Sequence, residues 1–553
     1  MLSISMLIQQ EPTNGIVQQW KDALRNMTSA TAAYLDRCKA FDDLPLDFAH
    51  PDHLEAIIGV GFKDMDTLVA QPLSVARSFL ARTWNRAAPR ICSVPPEVLL
   101  IIFSFVLNSS ESTRSTRTDT FGYYRRLHTL AAVCSIWRRI CISQGFLWSL
   151  IPIYHHFPNQ EILHILCRAA GSSKLHLVAE LGATMPPNFN KTLEKLVQNG
   201  HRFNTINLMC ETQLATKSVL EYFLDNPSST LGSITNMYLY SKATAYVTDI
   251  GTHEQAQYVF SWSSAYQASF SKLVGSLRSL RIRHTHFHLT NMKFVNLVEL
   301  WLQELDFSPT GTVQEILRSV SSASNLRIFR VASILARGGA ISGPGSSFSY
   351  QQFSFPNLEK LWVEDVQFTV LKALLLSIQP RPDSNETIVR LLGNFNGVTQ
   401  DDLEPVLRGI NISTLVVVRD LECWKDMSWL LECMPTLTTM YIDGQTFEKT
   451  VLENLVRPSG PHPGPIDHTS HFPAIRELHI TRARIQDPVG FEHFVASYPI
   501  HRMVLGARAY TGVARGWEKY SDQSDLGKQL KEIIPDLDFV DPDRMLAYPE
   551  PVW

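Results

Sequence analysis

A six-residue pattern recurs through the second half of this 553-residue chain: an apolar residue, two variable residues, an apolar residue, one variable residue and a third apolar residue. Alternate residues of a strand face opposite ways, so the last two apolar positions predict a strand with one buried face. Amphipathic helical runs, such as residues 313–320 and 401–409, lie between some of these strands. We therefore expect an α/β fold of repeated strand–helix units. The pattern occurs at Leu277/Leu280/Ile282, Leu297/Leu300/Leu302, Leu326/Phe329/Val331, Leu358/Leu361/Val363, Ile412/Leu415/Val417, Leu437/Met440/Ile442 and Ile475/Leu478/Ile480.

The spacing of the pattern is irregular. Successive copies start 20, 29, 32, 54, 25 and 38 residues apart, so the units differ in length. The 54-residue interval has room for another unit near residues 388–392. We assign residues 156–545 to this array.

The residue between the last two apolar positions points away from the buried face, and stacked units place these residues in one row. Aromatic and arginine side chains on an exposed row are typical of protein-binding hot spots. The sequence therefore predicts a concave face that binds a protein client. Two alternatives are that a terminal segment covers the aromatic side chains or that they stack on one another across strands. The predicted client-binding residues are Arg281, Trp301, Arg330, Trp362, Glu364, Tyr441, Asp443 and His479.

A second feature is the run Val-Leu-Leu-Ile-Ile-Phe-Ser-Phe-Val-Leu at residues 98–107, in which only Ser104 is polar. Pro95, Pro96 and Glu97 precede it and are favourable at a helix start. Apolar side chains then surround the predicted helix on all sides, yet it is far too short to cross a bilayer. Either the rest of the chain or another protein must cover this surplus apolar surface. A helical hairpin buried within a larger core is the alternative to docking.

A polar stretch at residues 108–119 predicts a loop, and residues 130–142 predict a second helix that packs on the first. Together these segments resemble an F-box in order, spacing and residue type. The resemblance covers about 60 of the 553 residues, and Val94 stands where Leu is more common. It rests on Val94-Pro95-Pro96-Glu97-Val98-Leu99 with Ile102-Phe103, on Val133-Cys134 with Trp137-Arg138, and on Leu147-Trp148.

The resemblance implies a three-helix module that binds a Skp-family adaptor, and through it a cullin and a RING protein. The array resembles the leucine-rich repeats that often follow an F-box, as in fungal-type F-box-like proteins. The chain would then be a substrate receptor of an SCF ubiquitin ligase, with an N-terminal helical region at 1–88, the F-box-like domain at 89–155 and an irregular solenoid. A binding scaffold outside any ligase is the alternative. The implied adaptor-binding residues are Val94, Pro95, Glu97, Val98, Leu99, Ile102, Phe103, Trp137 and Arg138.

Other chemistry has little support in the sequence. A net charge of -3 gives no overall attraction for nucleic acid, and the eight cysteines form no CxxC pair. His284, His286 and His288 alternate, but no nearby cysteine or carboxylate in the sequence completes a metal site, so a solvated turn is the simpler interpretation. Phosphate-binding and hydrolase motifs are absent. We expect no enzyme activity, cofactor or membrane span, and a cytoplasmic or nuclear location.

Overall fold

The structure is a computed structural model, and it divides the chain into two units, Met1–Val94 and Pro95–Trp553. It describes residues 11–42, 51–87, 94–108, 116–154, 159–169, 174–182, 189–225, 233–242, 258–307, 311–336, 350–379, 386–391, 400–418, 427–457, 472–511 and 516–543.

The first unit is helical, as the sequence predicted. Helices α1 (Glu11–Asp42), α2 (Pro51–Asp64) and α3 (Gln71–Ala87) carry the described residues, and a π-helical segment, Met65–Ala70, joins α2 to α3. In this unit, every side chain whose burial is described is exposed or half-buried.

The second unit begins with three helices, α4 (Pro96–Asn108), α5 (Thr116–Val133) and α6 (Ser135–Ser143), and a 3-10 turn at Gly145–Trp148. We call these elements the three-helix module. The predicted loop is wrong at residues 116–119, which belong to α5, while residues 109–115 lie outside the described residues.

The predicted single helix at 130–142 is also wrong, because the chain breaks it at Cys134. The backbone there is extended, and the Cys134 sulfur accepts a hydrogen bond from the backbone N–H of Trp137. A side chain that caps the next helix in this way lets α6 start afresh.

A mixed sheet follows, whose main path runs in chain order from β1 to β17 without β8, β10 and β14. Every pairing is parallel except that of β17 with β16; β14 pairs with β15, β18 with β16, and β8 with β10 in a separate small sheet. The strands are β1 Leu150–Tyr154, β2 Leu175–Leu181, β3 Phe203–Cys210, β4 Asn236–Ser241, β5 Ser279–Arg283, β6 Glu299–Gln303, β7 Ile328–Ala332, β8 Phe353–Ser354, β9 Lys360–Glu364, β10 Ile378–Gln379, β11 Glu386–Leu391, β12 Ile412–Val418, β13 Thr439–Asp443, β14 Thr446–Phe447, β15 Glu477–Ile485, β16 Arg502–Tyr510, β17 Trp517–Lys519 and β18 Asp536–Phe539.

Helices occupy many of the connections between strands, and several successive helices contact one another. Each strand–helix unit therefore packs mainly on its neighbours in the chain. These helices are α7 Asn159–Arg168, α8 Phe189–Gln198, α9 Gln213–Leu224, α10 Ala265–Val274, α11 Gly311–Val320, α12 Phe368–Ser377, α13 Gln400–Leu407, α14 Met427–Glu432, α15 Lys449–Leu455, α16 Pro488–Ala496 and α17 Asp525–Ile533, with a 3-10 turn at Gly200–Arg202.

The seven pattern copies coincide with β5, β6, β7, β9, β12, β13 and β15, and β11 fills the long interval as predicted. Strands β1 to β4 lie outside these copies, although β3 and β4 carry the same apolar spacing at Phe203/Ile206/Leu208 and Ile234/Met237/Leu239.

Four of these strands end in the same unusual way. The residue after β5, β6, β7 or β9 has a left-handed backbone, although none of the four is glycine. Its N–H still donates to a carbonyl of the following strand in the sheet, at 2.8 to 3.3 Å. This hydrogen bond continues the ladder and offsets part of the conformational cost. The four residues are His284, Glu304, Ser333 and Asp365.

No helix of the described residues is long and apolar enough to cross a membrane.

Candidate protein-docking site

Helix α4 has one buried face and one exposed face, both apolar. Leu99, Phe103 and Leu107 are spaced four residues apart and are buried inside the three-helix module. Ile101 is 57% exposed and Phe105 is 75% exposed. The surplus apolar surface predicted from the sequence is therefore not enclosed by the described part of the second unit. We call the exposed side chains of α4 the apolar patch: Val98, Ile101, Ile102, Phe105 and Val106.

Both ends of α4 are held in place by hydrogen bonds. The Pro95 carbonyl accepts hydrogen bonds from the N–H groups of Val98 and Leu99, at 3.0 and 3.1 Å. At the other end, the Arg126 guanidinium donates to the Leu107 carbonyl at 2.7 Å. Because the terminal carbonyls of a helix have no partner inside it, this contact ties α4 to α5.

The three-helix module ends in a 3-10 turn that contains a buried tryptophan, Trp148. The Trp148 indole N–H donates to the Cys141 carbonyl at 2.8 Å, and the Tyr123 hydroxyl donates to the Leu147 carbonyl at 3.0 Å. Burial is the main cause that raises the pKa of Tyr123 to about 12, and burial also raises the pKa of the Cys141 thiol. Neither group is ionised near neutral pH, so both act as packing and hydrogen-bonding groups.

The predicted adaptor-binding residues divide into exposed and buried sets. Leu99 and Phe103 were expected to face an adaptor, but they form the module's interior, since α4 packs against α5 and the Phe103 ring contacts Trp137 of α6. Trp137 is half-buried, and its ring lies 4.8 Å from that of Phe103. Val94 is also half-buried, whereas the remaining predicted residues are exposed: Pro95, Glu97, Val98, Ile102 and Arg138.

The prediction missed the most exposed members of the patch, Ile101 and Phe105. The signal was present in the sequence, because apolar residues occupy every direction around α4. A resemblance matched residue by residue passes over positions that its motif does not specify.

The predicted row of outward residues in the sheet is also different from expectation. Tyr238, Arg281, Trp301, Arg330 and Trp362 occupy matching positions on the five neighbouring strands β4 to β7 and β9, so aromatic and guanidinium groups alternate. The arginine carbons lie 3.6 to 5.1 Å from the centres of the adjacent rings. We call this row the arginine–aromatic ladder.

The ladder is packed rather than exposed: Trp301 is 2% exposed and Trp362 is 3% exposed. The expectation of an exposed row is therefore wrong for these two residues and for Arg330, Glu364 and Asp443, which are buried. Strands about 4.8 Å apart bring side chains of one face into contact, and this agrees with the alternative of stacking across strands. Half-buried members of the predicted set remain at Arg281, Tyr441 and His479.

Two buried carboxylates of the sheet are paired. The Glu364 carboxylate accepts hydrogen bonds from Arg330 at 2.7 Å and from the Trp362 indole at 3.0 Å, and it also accepts one from Arg390. Asp443 is held similarly by Thr481 at 2.8 Å and by Arg482. Such pairing is what allows charged groups to be buried.

Two of the alternating histidines contact other side chains in the described part of the chain. Among the described residues, no group of three or more His, Cys, Asp or Glu side chains could hold a metal ion. His284 instead donates to the Glu304 carboxylate, while the ring of His288 stacks on Tyr258 at 3.8 Å.

Comparison with known families gives a match at the three-helix module. Residues 91–151, which include the three-helix module, match the family described as F-box-like. No curated protein matches the chain. The chain thus contains an F-box-like domain, which suggests a role in protein interaction, and the match covers a small part of its length.

Proposed function

We propose that this protein is a substrate-recognition subunit of an SCF-type ubiquitin ligase. The three-helix module would bind a Skp-family adaptor, which would connect it to a cullin and a RING protein. The observation that carries the proposal is the apolar patch on α4, within a domain of F-box-like sequence. F-box domains generally bind Skp-type adaptors, and an apolar helix face left open to water favours such a partner. Ubiquitin transfer would then be the work of other subunits, and this chain would not be an enzyme.

The sheet would bind the client. Parallel strands in chain order, with helices in many of the connections, are consistent with an irregular leucine-rich-repeat solenoid. We assign client contact to the half-buried members of the predicted face, Arg281, Tyr441 and His479, and assign the buried members a packing role. A cytoplasmic or nuclear location follows from the ligase role.

The test is capture of a Skp-family adaptor by the full-length chain. We expect the double substitution Ile101→Asp and Phe105→Asp to weaken capture at least about tenfold, because burying a carboxylate in an apolar contact costs more than ~1.4 kcal/mol. Val295→Asp, at an exposed valine between β5 and β6, is the matched control and should bind as the natural chain does.

Circular dichroism must show that all three proteins are folded. If the folded natural chain captures no adaptor, the proposal is wrong, and the alternative of a binding scaffold outside any ligase takes its place. Equal capture by the double variant would instead show that the apolar patch is not the surface that contacts the adaptor.

A further inference from the structure

A cavity of about 180 Å³ lies beside β5 and β6, lined by residues from 258–262, 286–290, 305–307 and 312–316. Its walls include both aromatic rings and carboxylates. The aromatic, imidazole and carboxylate side chains of the lining are Tyr258, Trp262, His286, His288, Asp306 and Glu315.

The aromatic wall is continuous from the interior to the surface. The Tyr258 ring stacks on the His288 imidazole with centroids 3.8 Å apart and meets the edge of His286 at 6.2 Å. Trp262 stands at right angles to His288, with centroids 5.2 Å apart, and is 56% exposed.

The wall is also held in position. The Val259 N–H donates to the His286 carbonyl at 3.0 Å, and the Gln267 side-chain amide donates to the His288 carbonyl at 2.9 Å. Below these residues, the buried rings of Phe270 and Phe287 stack with centroids 4.3 Å apart. Rings fixed by such contacts can present a preformed surface to a ligand.

The charges favour a cation. Asp306 and Glu315 line the cavity, whereas none of its described lining residues is lysine or arginine. Burial lowers the pKa of both His286 and His288, so neither imidazole adds positive charge at neutral pH. The cavity lining thus combines two carboxylates with the aromatic side chains of Tyr258 and Trp262.

The volume of the cavity and the hydration of different cations together indicate which class of cation can bind. Pockets for drug-sized ligands occupy roughly 300 to 1,000 Å³, so this cavity suits a single headgroup or the end of a side chain. A primary ammonium is strongly hydrated and loses its water at high cost. An ammonium that carries methyl groups contacts aromatic faces directly and keeps its charge.

We propose that this cavity binds a methylated ammonium group, supplied either by a methylated lysine of another protein or by a free molecule of the choline type. This site is separate from the apolar patch of α4, and the proposal does not depend on adaptor binding.

Calorimetric titration of the full-length chain tests the proposal with choline and with a short peptide that contains trimethyllysine. We expect both probes to bind, and we expect Trp262→Ala and Glu315→Gln each to weaken binding, about tenfold for Trp262→Ala. Trp517→Ala is the matched control, because Trp517 is also exposed but lies on β17, outside the cavity. The same peptide with unmodified lysine should bind at least about tenfold more weakly.

The two probes distinguish the sources. Tighter binding of the peptide would assign the group to a protein, and tighter binding of choline to a free molecule. The proposal is overturned if neither probe binds the folded natural chain, or if Trp262→Ala leaves binding unchanged. It is likewise overturned if 3,3-dimethylbutanol, the uncharged analogue of choline, binds as tightly. Adaptor capture by the same preparations is measured separately, so failure at one site is distinguishable from failure at the other.

Discussion

The guanidinium carbon of Arg281 lies 3.6 Å from the centre of the Trp301 ring, and Arg330 approaches the same ring from the strand on the other side at 5.1 Å. Arginine over an aromatic face gains electrostatic attraction, and the gain rises as water is excluded. The ladder therefore joins neighbouring strands on the face opposite the apolar core.

Trp301→Ala tests this interpretation. Truncation of a buried tryptophan removes its packing and two arginine contacts, so we expect the free energy of unfolding to fall by about 3 to 5 kcal/mol. Urea denaturation followed by circular dichroism measures it. Trp517→Ala, at an exposed tryptophan, should change stability by less than about 1 kcal/mol. Equal losses in the two variants would contradict a structural role for the ladder.

Glu364 supplies a second prediction. Glu364→Ala would leave Arg330 and Arg390 without this carboxylate in a buried setting, and we expect a loss of about 3 to 5 kcal/mol. Glu359→Ala is the control, because the ion pair of Glu359 with Arg327 is largely exposed. That pair should contribute no more than about 1 kcal/mol. Thermal denaturation of the two variants should rank them in this order, and the reverse order would contradict the assignment.

Two phenylalanines of one helix give a third prediction. Phe103 is fully buried and Phe105 is on the apolar patch. Phe103→Ala should destabilise the three-helix module by about 3 to 5 kcal/mol, and Phe105→Ala should leave its stability nearly unchanged. If Phe105 contacts the adaptor, only its substitution lowers adaptor capture while the chain remains folded. Hydrogen exchange of α4 amides in each variant reports the stability of the module directly.

We expect acid to lower the stability of the sheet, because it protonates the Glu304 carboxylate. Burial disfavours the charged carboxylate, but hydrogen bonds from His284 and Arg283 outweigh this effect and lower the pKa of Glu304 to about 2. The ordinary value is 4.5, so this stabilisation is complete above pH 4.5 and is lost as the pH falls towards 2.

Urea denaturation of the natural chain and of Glu304→Gln at pH 6, 4 and 3 measures the effect. Because the site is partly solvated, we expect the stability difference between the two proteins to shrink by roughly 1 to 2 kcal/mol across this range. A difference that stays constant with pH would show that Glu304 contributes nothing to the acid response.

Periodicity in the sequence was enough to predict the repeated strand–helix units, including β11 in the long interval, and the apolar surplus predicted an accessible face on α4. The break at Cys134 was not predictable from apolar spacing, because a thiol cap leaves that spacing unchanged. The exposure of the outward row was predicted wrongly for a similar reason. Alternation gives the direction in which Trp301 points, but it does not show that Arg281 and Arg330, on the neighbouring strands β5 and β7, lie over its ring.

The strands of the sheet follow one another in the order in which they occur in the chain, and this order affects how the protein folds and unfolds. Because most strand partners are also close along the chain, loop-closure entropy is small at each step, and folding can advance from one unit to the next. Pulling on one terminus should release strands one after another rather than all together. A damaging substitution in one unit should likewise melt its neighbours first and leave distant units protected from exchange.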